Sequence, residues 1–280
     1  MKQLIGLSCL FLCNLAIGQG RVDGFSKGEG NLDIALGANF ETNKNYFAGT
    51  NKISLARDIL SANLFTAYGI TNNLDVNFSV PFVSVNGVES SIQDLALFFK
   101  YKVLSKNVFK NTKEVTFTSK YLGKISFLLA GGVSSNITDY QTEGGNAIGQ
   151  QAKALDIRPV VHLTYGNYFL TIQGGYNYKF DPVANSVPFA FKLGIAKTKY
   201  YLDIWYDSQY GIGGLDYQGT PTPLTFRELG VSFHKIGGTF YRPIKPNLGV
   251  FGGLSYTITG RNVSQGVGIG AGIVLKYNKK

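Results

Sequence analysis

The sequence predicts an all-β chain: a transmembrane, up-and-down antiparallel β-barrel of about twelve strands. Three observations predict it. Long runs alternate apolar and polar residues, as NLDVNFSVPF does at 73–82, and side chains two apart on a strand share a face. Most runs are about eleven residues long, whereas strands of soluble proteins cluster near about five or six and a tilted bilayer-crossing strand takes about nine to eleven. The connections tend to alternate long and short, the pattern of bacterial barrels with short periplasmic turns and longer outer loops.

Composition agrees. The 280 residues are 44% hydrophobic and only 16% charged, which excludes a disordered chain, and 35 Gly with 17 Tyr and 20 Phe suit strands joined by tight turns. The opening MKQLIGLSCLFLCNLAIGQG reads as a secretory signal over 1–18, with Lys2 ahead of an apolar run over 4–15 and a small-residue exit at Ala16-Ile17-Gly18. The mature chain is then 19–280. No second long apolar run follows, so no membrane-spanning helix is expected. Cys9 and Cys13 both fall in the signal, and neither follows the small-residue pattern of a lipoprotein signal, so no disulfide or cysteine metal site is expected.

In chain order, strands are expected at 30–41, 59–69, 73–83, 92–103, 122–133, 155–165, 168–180, 187–197, 200–210, 226–240, 247–257 and 266–277. With the first strand running outward, 42–58, 134–154 and 211–225 become long extracellular loops, while 70–72, 166–167 and 242–246 become short lower turns. The stretch 104–121 is too long for a lower turn, and a fifth strand starting near Val115 would repair the pattern. Aromatic residues gather at both ends of the strands, where amphipathic rings favour the water–hydrocarbon boundary. Tyr68, Tyr101, Tyr121, Tyr165, Tyr168, Tyr200, Tyr241 and Tyr277 mark the lower girdle; Phe40, Phe82, Tyr178, Phe189, Tyr206, Phe226 and Tyr256 mark the upper one. Leu74, Val76, Phe78, Val80 and Phe82 are therefore expected to face lipid, with Asp75, Asn77 and Ser79 in the lumen. Pro81 removes a ladder donor, tolerable at the upper end of its strand.

The hairpin AYGITNNLDVNFSVPFV at 67–83 resembles one that recurs in a family of outer-membrane transporters encoded with phenol meta-cleavage degradation genes. The shared pattern is Tyr68-Gly69, the turn Ile70-Thr71-Asn72-Asn73, then Leu74-Asp75 and an alternating strand closing on Pro81. Tyr241, Pro246-Asn247-Leu248, Leu254-Ser255-Tyr256 and Gly260-Arg261-Asn262 are similar to that family's last hairpin. The resemblance implies a bacterial outer-membrane barrel serving as a conduit for aromatic or other small compounds. It carries over no functional residue.

Strand parity nominates the lumen lining: Asp33, Asp75, Asp94, Asp156, Asp203, Asp207 and Glu228, together with Glu41, against Lys100, Arg158 and Lys192, with His162 and His234 also inward. The expected lumen is acidic, and many of the lysines and arginines sit at lower ends and turns, which reconciles it with the net charge of +10. That charge raises a nucleic-acid partner, but an exported chain meets none. Asp203 and Asp207, four apart on a strand, are about 13 Å apart and do not form a metal site. The glycines at 266, 268, 270 and 272 recur every second residue, unlike the G-x-G-x-x-G of dinucleotide sites, and leave room for bulky lumen residues. Neither His sits in a serine-bearing motif, so no enzyme, cofactor or metal is expected. The sequence thus favours passive passage or binding of small solutes, with outer-membrane lipid and a small solute as partners and the oligomeric state open. The alternatives are a structural or surface-interaction barrel whose lumen is sealed by paired charges and, further off, a barrel lipid hydrolase. The residues at 19–29 are expected as a disordered periplasmic tail.

Overall fold

The computed structural model describes residues 22–110 and 121–279; the expected signal with Cys9 and Cys13, and the expected strand start near Val115, lie outside the described residues. Twelve antiparallel strands close into one barrel, each paired with its neighbours in sequence and the last with the first. They are β1 (Leu32–Ala48), β2 (Asn51–Gly69), β3 (Leu74–Val85), β4 (Glu89–Ile92 continuing as Leu95–Lys110), β5 (Tyr121–Ser135) and β6 (Ala154–Tyr165). There follow β7 (Tyr168–Gly174 continuing as Tyr176–Lys179), β8 (Asn185–Ala196), β9 (Tyr201–Ile212), β10 (Ser232–Lys245), β11 (Leu248–Arg261) and β12 (Val263–Tyr277). Closure leaves no open sheet edge, so the backbone groups of the spanning strands can pair within the ladder, as a bilayer requires.

Both broken strands face a proline. Pro81 of β3 lies opposite the gap at 93–94 of β4, and Pro188 of β8 lies opposite the gap at Gly175 of β7. Proline donates nothing to a ladder, so the neighbouring chain is free to leave register there. One bond survives at each break: Gln93 N–H to Pro81 O at 2.8 Å, and Gly175 N–H to Pro188 O at 3.0 Å. The first break turns Gln93 and Asp94 toward the lumen, which gives Pro81 a positioning role beyond a tolerated loss.

The outer wall is apolar. Leu36, Ile204, Leu254 and Ile269 are 52–61% exposed, a waste of apolar surface in water and the expected state in lipid. In β3, Phe82 is exposed while Asp75 and Asn77 are buried inside, as the alternation predicts. Exposed Tyr68, Tyr101, Tyr165, Tyr168 and Tyr277 form the lower girdle, and exposed Phe82, Tyr178, Phe189 and Tyr256 the upper one. Tyr241 leaves that set: it is 1% exposed and packs in the lumen beside Val274 and Tyr201. Ile269→Arg, near the middle of β12, is expected to cost about 2–4 kcal/mol, read as a lower urea midpoint for folding into lipid vesicles.

Three boundaries differ from expectation. Residues 42–58 form no loop: β1 and β2 continue as a hairpin to a turn at Gly49, paired as far as Ala48 with Asn51. The outer face is polar there and the inner one carries polar chamber groups such as Arg57, so the period-two signal disappears while the pairing persists. Residues 258–265 are likewise strand around a one-residue turn at Asn262, whose φ is +52°. The strand expected at 226–240 starts at Ser232, because Phe226–Glu228 is a 3-10 turn. Below the membrane β4 runs on to Lys110 and β5 is paired from Tyr121, which accounts for part of the long stretch at 104–121.

The glycine row of β12 faces inward. A methyl group on Gly268 would lie 2.6 Å from Ser255 Oγ, and one on Gly272 2.5 Å from a ring carbon of Phe251. The missing side chains admit bulkier lumen residues from β1 and β11, as expected.

Candidate functional site: a plugged and lidded lumen

The lower half of the lumen is filled by the chain's own N-terminal segment. Gly28 and Gly30, at φ of +79° and +75°, turn the residues before β1 back up into the barrel. Gly69 lets them pass, since a Cβ there would overlap the Gly28 carbonyl. Val22, Asp23, Phe25 and Lys27 are all buried. Val22 exchanges two hydrogen bonds with the Gln173 amide, its N–H donating at 3.1 Å and its carbonyl accepting at 3.0 Å. Its side chain joins Phe98, Leu128, Ala130 and Val160. Phe25 stands edge-on to His162 and Phe169, with ring centroids 4.3 and 5.1 Å apart. The expected periplasmic tail is thus an internal plug over 22–29. The segment carries no periodic pattern, and its ends of charge and apolarity match the wall only in three dimensions.

Charges lock the plug. Lys27 pairs with Asp33, and its backbone N–H donates to the Asp75 carboxylate at 3.1 Å. Lys100, 1% exposed, sits 3.1 Å from Asp75 and donates to the carbonyls of Asp23, at 3.1 Å, and Phe25. Lys192 lies 3.5 Å from Asp203 and 3.8 Å from Asp23. Arg158 grips both oxygens of Asp156 at 2.7 and 2.9 Å, and His162 Nδ1 meets Thr171 Oγ1 at 2.8 Å. Further up, Lys235 pairs with Glu41 at 2.7 Å. The expected acidic lumen is therefore neutralised, pair by pair. Isolated buried carboxylates cost several kcal/mol each, and Lys27 and Lys235 supply charge that parity had not put inside.

Asp33, Asp75, Lys100, Asp156, Arg158, His162, Lys192 and Asp203 all lie within the lumen. Asp94 reaches it at the β4 break, and half-buried Asp207 stands opposite Lys235 in the ladder. Two nominees do not. His234 is exposed on the outer wall, 2.5 Å from the Tyr206 hydroxyl, and Glu228 sits in the 3-10 turn, where its carboxylate accepts from Leu224 N–H at 3.1 Å. Both errors come from starting β10 at 226, which carried the wrong parity into the strand.

The upper half holds a chamber of about 240 Å³. Two connections roof it. Residues 136–153, between β5 and β6, fold inward, burying Tyr140 and Ile148 against Ile59, Val83 and Val85. Tyr140 donates to Asp94 at 2.6 Å, Gln93 donates to Ile148 O at 3.0 Å, and Arg57 donates to Ala147 O. Burial first, then the nearby Asp94 carboxylate, push the Tyr140 phenol above its usual range, so it stays a donor. Residues 213–231, between β9 and β10, contribute Tyr217, Phe226 and Leu229, and are pinned by Asn262 through the carbonyls of Leu215 and Gly230, both at 2.9 Å.

The two lids clasp each other at Glu143. Its carboxylate accepts from the Thr225 hydroxyl at 2.5 Å and the Phe226 N–H at 3.1 Å, while Arg227 Nε donates to Gln150 O at 3.0 Å. Burial alone would raise the Glu143 carboxyl, but Thr225, Phe226 N–H, Thr142 and Arg227 outweigh it and hold the group below its ordinary 4.5. A depressed acid contributes its stability fully above pH 4.5 and loses it as pH falls through the native value. Protease cleavage within 136–153 is therefore expected to accelerate below pH 4.5, and Glu143→Gln is expected to produce the faster cleavage already at neutral pH.

Parity reasoning had missed Asp23, Lys27, Arg57, Lys179 and Lys235. The first two lie in a stretch without periodicity, Arg57 in the supposed loop and Lys235 on the parity opposite to the inward one given to Glu228 and His234. Lys179, at the end of an expected strand, was the legible one.

No protein family and no curated protein matches the sequence. Among solved structures the chain is similar to the COG4313 outer membrane channel from Pseudomonas putida F1, at 14% identity and a TM-score of 0.68, over 93% of this chain and all of that one. Weaker likenesses are the NanC porin, at 10% identity and TM-score 0.48 over 88% of this chain and all of that one, and the translocator domain of autotransporter NalP from Neisseria meningitidis, at 12% identity and TM-score 0.48 over 89% of each. Closed ladder, lipid-facing wall and shared fold together make this chain a twelve-stranded β-barrel of the bacterial outer membrane.

Proposed function

We propose that the barrel passes small solutes, aromatic or otherwise hydrophobic compounds among them, across the outer membrane through a path closed at rest. The carrying observation is the chamber between lids and plug, a space a purely structural barrel does not need. Asp33, Asp75, Asp94, Lys100, Asp156, Arg158, His162, Lys192, Asp203 and Asp207 would line the path once the plug withdraws. The two lids and the plug lie outside the barrel ladder, so they can move without breaking it, as gating elements do.

The second reading is a sealed barrel acting through its outer surface, and the ion-paired plug favours it. Solute flux into liposomes separates the two. Leakage of a small phenol through barrels lacking 22–29, above that of the whole chain and of empty vesicles, is the expected result. Absence of flux and of single-channel current, in the whole chain and in a chain lacking 22–29, would leave only the sealed reading.

A further inference from the structure

We propose that the chamber binds a small aromatic monocarboxylate, its carboxylate at Arg57 and its ring against the wall formed by Tyr46, Tyr217 and Phe226. The proposal deepens the solute-passage reading and rests on it only for its biological meaning.

Arg57 reaches the chamber through a bulge. Between β1 and β2 the register shifts so that Asn43 faces Arg57 while Asn45 faces Ser54, which sets residues 55 and 56 against Lys44 alone. Such an insertion re-aims the side chains beside it, and Arg57 and Tyr46 both line the chamber. Arg57 spends one donor on the Ala147 carbonyl, but its Nε–H is shut off from solvent and has no acceptor. No carboxylate among the described residues pairs with it, since Glu41 on the same wall is held by Lys235. Lys179, half-buried on the chamber wall, adds a second cation there, facing Asp156, which Arg158 grips, and Asp94, which accepts from Tyr140.

A buried cation without a partner is costly, and an anion entering the chamber relieves that cost. The planar guanidinium with a free Nε–H suits a carboxylate, which can accept two parallel bonds. Beside it the rings form a row: Tyr46 meets Tyr217 edge-on at 5.6 Å, and Tyr217 meets Phe226 edge-on at 5.2 Å. An aromatic ligand extends that row with the same geometry. About 240 Å³ is at the small end for a ligand pocket and suits one or two fused rings.

The test is calorimetric titration of the full chain in detergent with 2-naphthoate and its uncharged twin, 2-naphthamide. Naphthoate is expected to bind at least about tenfold tighter than the amide, the discrimination a charge-assisted bond supplies. Arg57→Gln is expected to remove about the same factor for naphthoate and to leave the amide unchanged. Equal affinities in the unaltered barrel, absence of naphthoate binding, or an Arg57→Gln barrel that keeps its naphthoate affinity would each overturn the proposal. Should that variant fail to fold, the acid-to-amide comparison on the unaltered chain decides alone. Binding needs no transport: a barrel that binds naphthoate but passes nothing keeps this site and loses the channel, and one that conducts without binding loses only this site.

Discussion

A chain lacking residues 22–29 is expected to give discrete single-channel openings in planar bilayers where the whole chain gives little or no current. The segment fills the lower lumen with Val22, Phe25 and Lys27, and its removal exposes a row of charges to water: Asp75 with Lys100, Asp203 with Lys192, and Asp33. Those groups then line a wet path, and a narrow charged pore conducts. A point substitution makes the same case with the chain at full length. Gly24 lies against the His162 ring, leaving no space for a Cβ, so Gly24→Leu is expected to expel the segment and reproduce the truncated phenotype. Identical currents from all three proteins would show that the plug does not control the lower lumen.

Lys100→Met is expected to destabilise the barrel by about 3–5 kcal/mol, the cost of removing one member of a buried ion pair. Its ammonium satisfies Asp75 and two carbonyls of the plug at once, so methionine leaves a buried carboxylate and two orphaned acceptors. Adding Asp75→Leu is expected to recover part of the loss, because the unmatched charge is removed while the Asp23 and Phe25 carbonyls and the Lys27 N–H stay unpaired. Urea midpoints in lipid vesicles measure both. A single variant as stable as the parent would mean that water reaches Asp75 and that the lower lumen is wetter than its packing implies. The same variant is expected to loosen the plug, tying this result to the first.

How much was legible follows from which contacts carry a period. Wherever one face met lipid, as at Leu74 to Phe82 with Asp75 and Asn77 opposite, alternation identified strand, face and occupant of the lumen. Where both faces carry polar groups, as at 42–58, or where a strand is preceded by a 3-10 turn, as at Phe226, the phase is lost, and parity puts His234 and Glu228 on the wrong side. Nine of the nominated residues, besides Glu41, are buried or line the chamber, and parity alone points to them. It does not point to their partners Lys27 and Lys235, and without them the lumen looked acidic when it is paired.

By itself the sequence determined the architecture: a greasy stripe every second residue, strands of bilayer length and aromatic ends are local properties, repeated often enough to specify a closed barrel in a membrane. What fills that barrel was decided only in three dimensions. The plug, the inward lids and the aromatic wall beside Arg57 join residues separated by long stretches of chain, such as Val22 with Gln173 and Tyr46 with Tyr217. Such contacts depend on which side chains closure brings to the same height inside the wall, and no spacing along the chain encodes that.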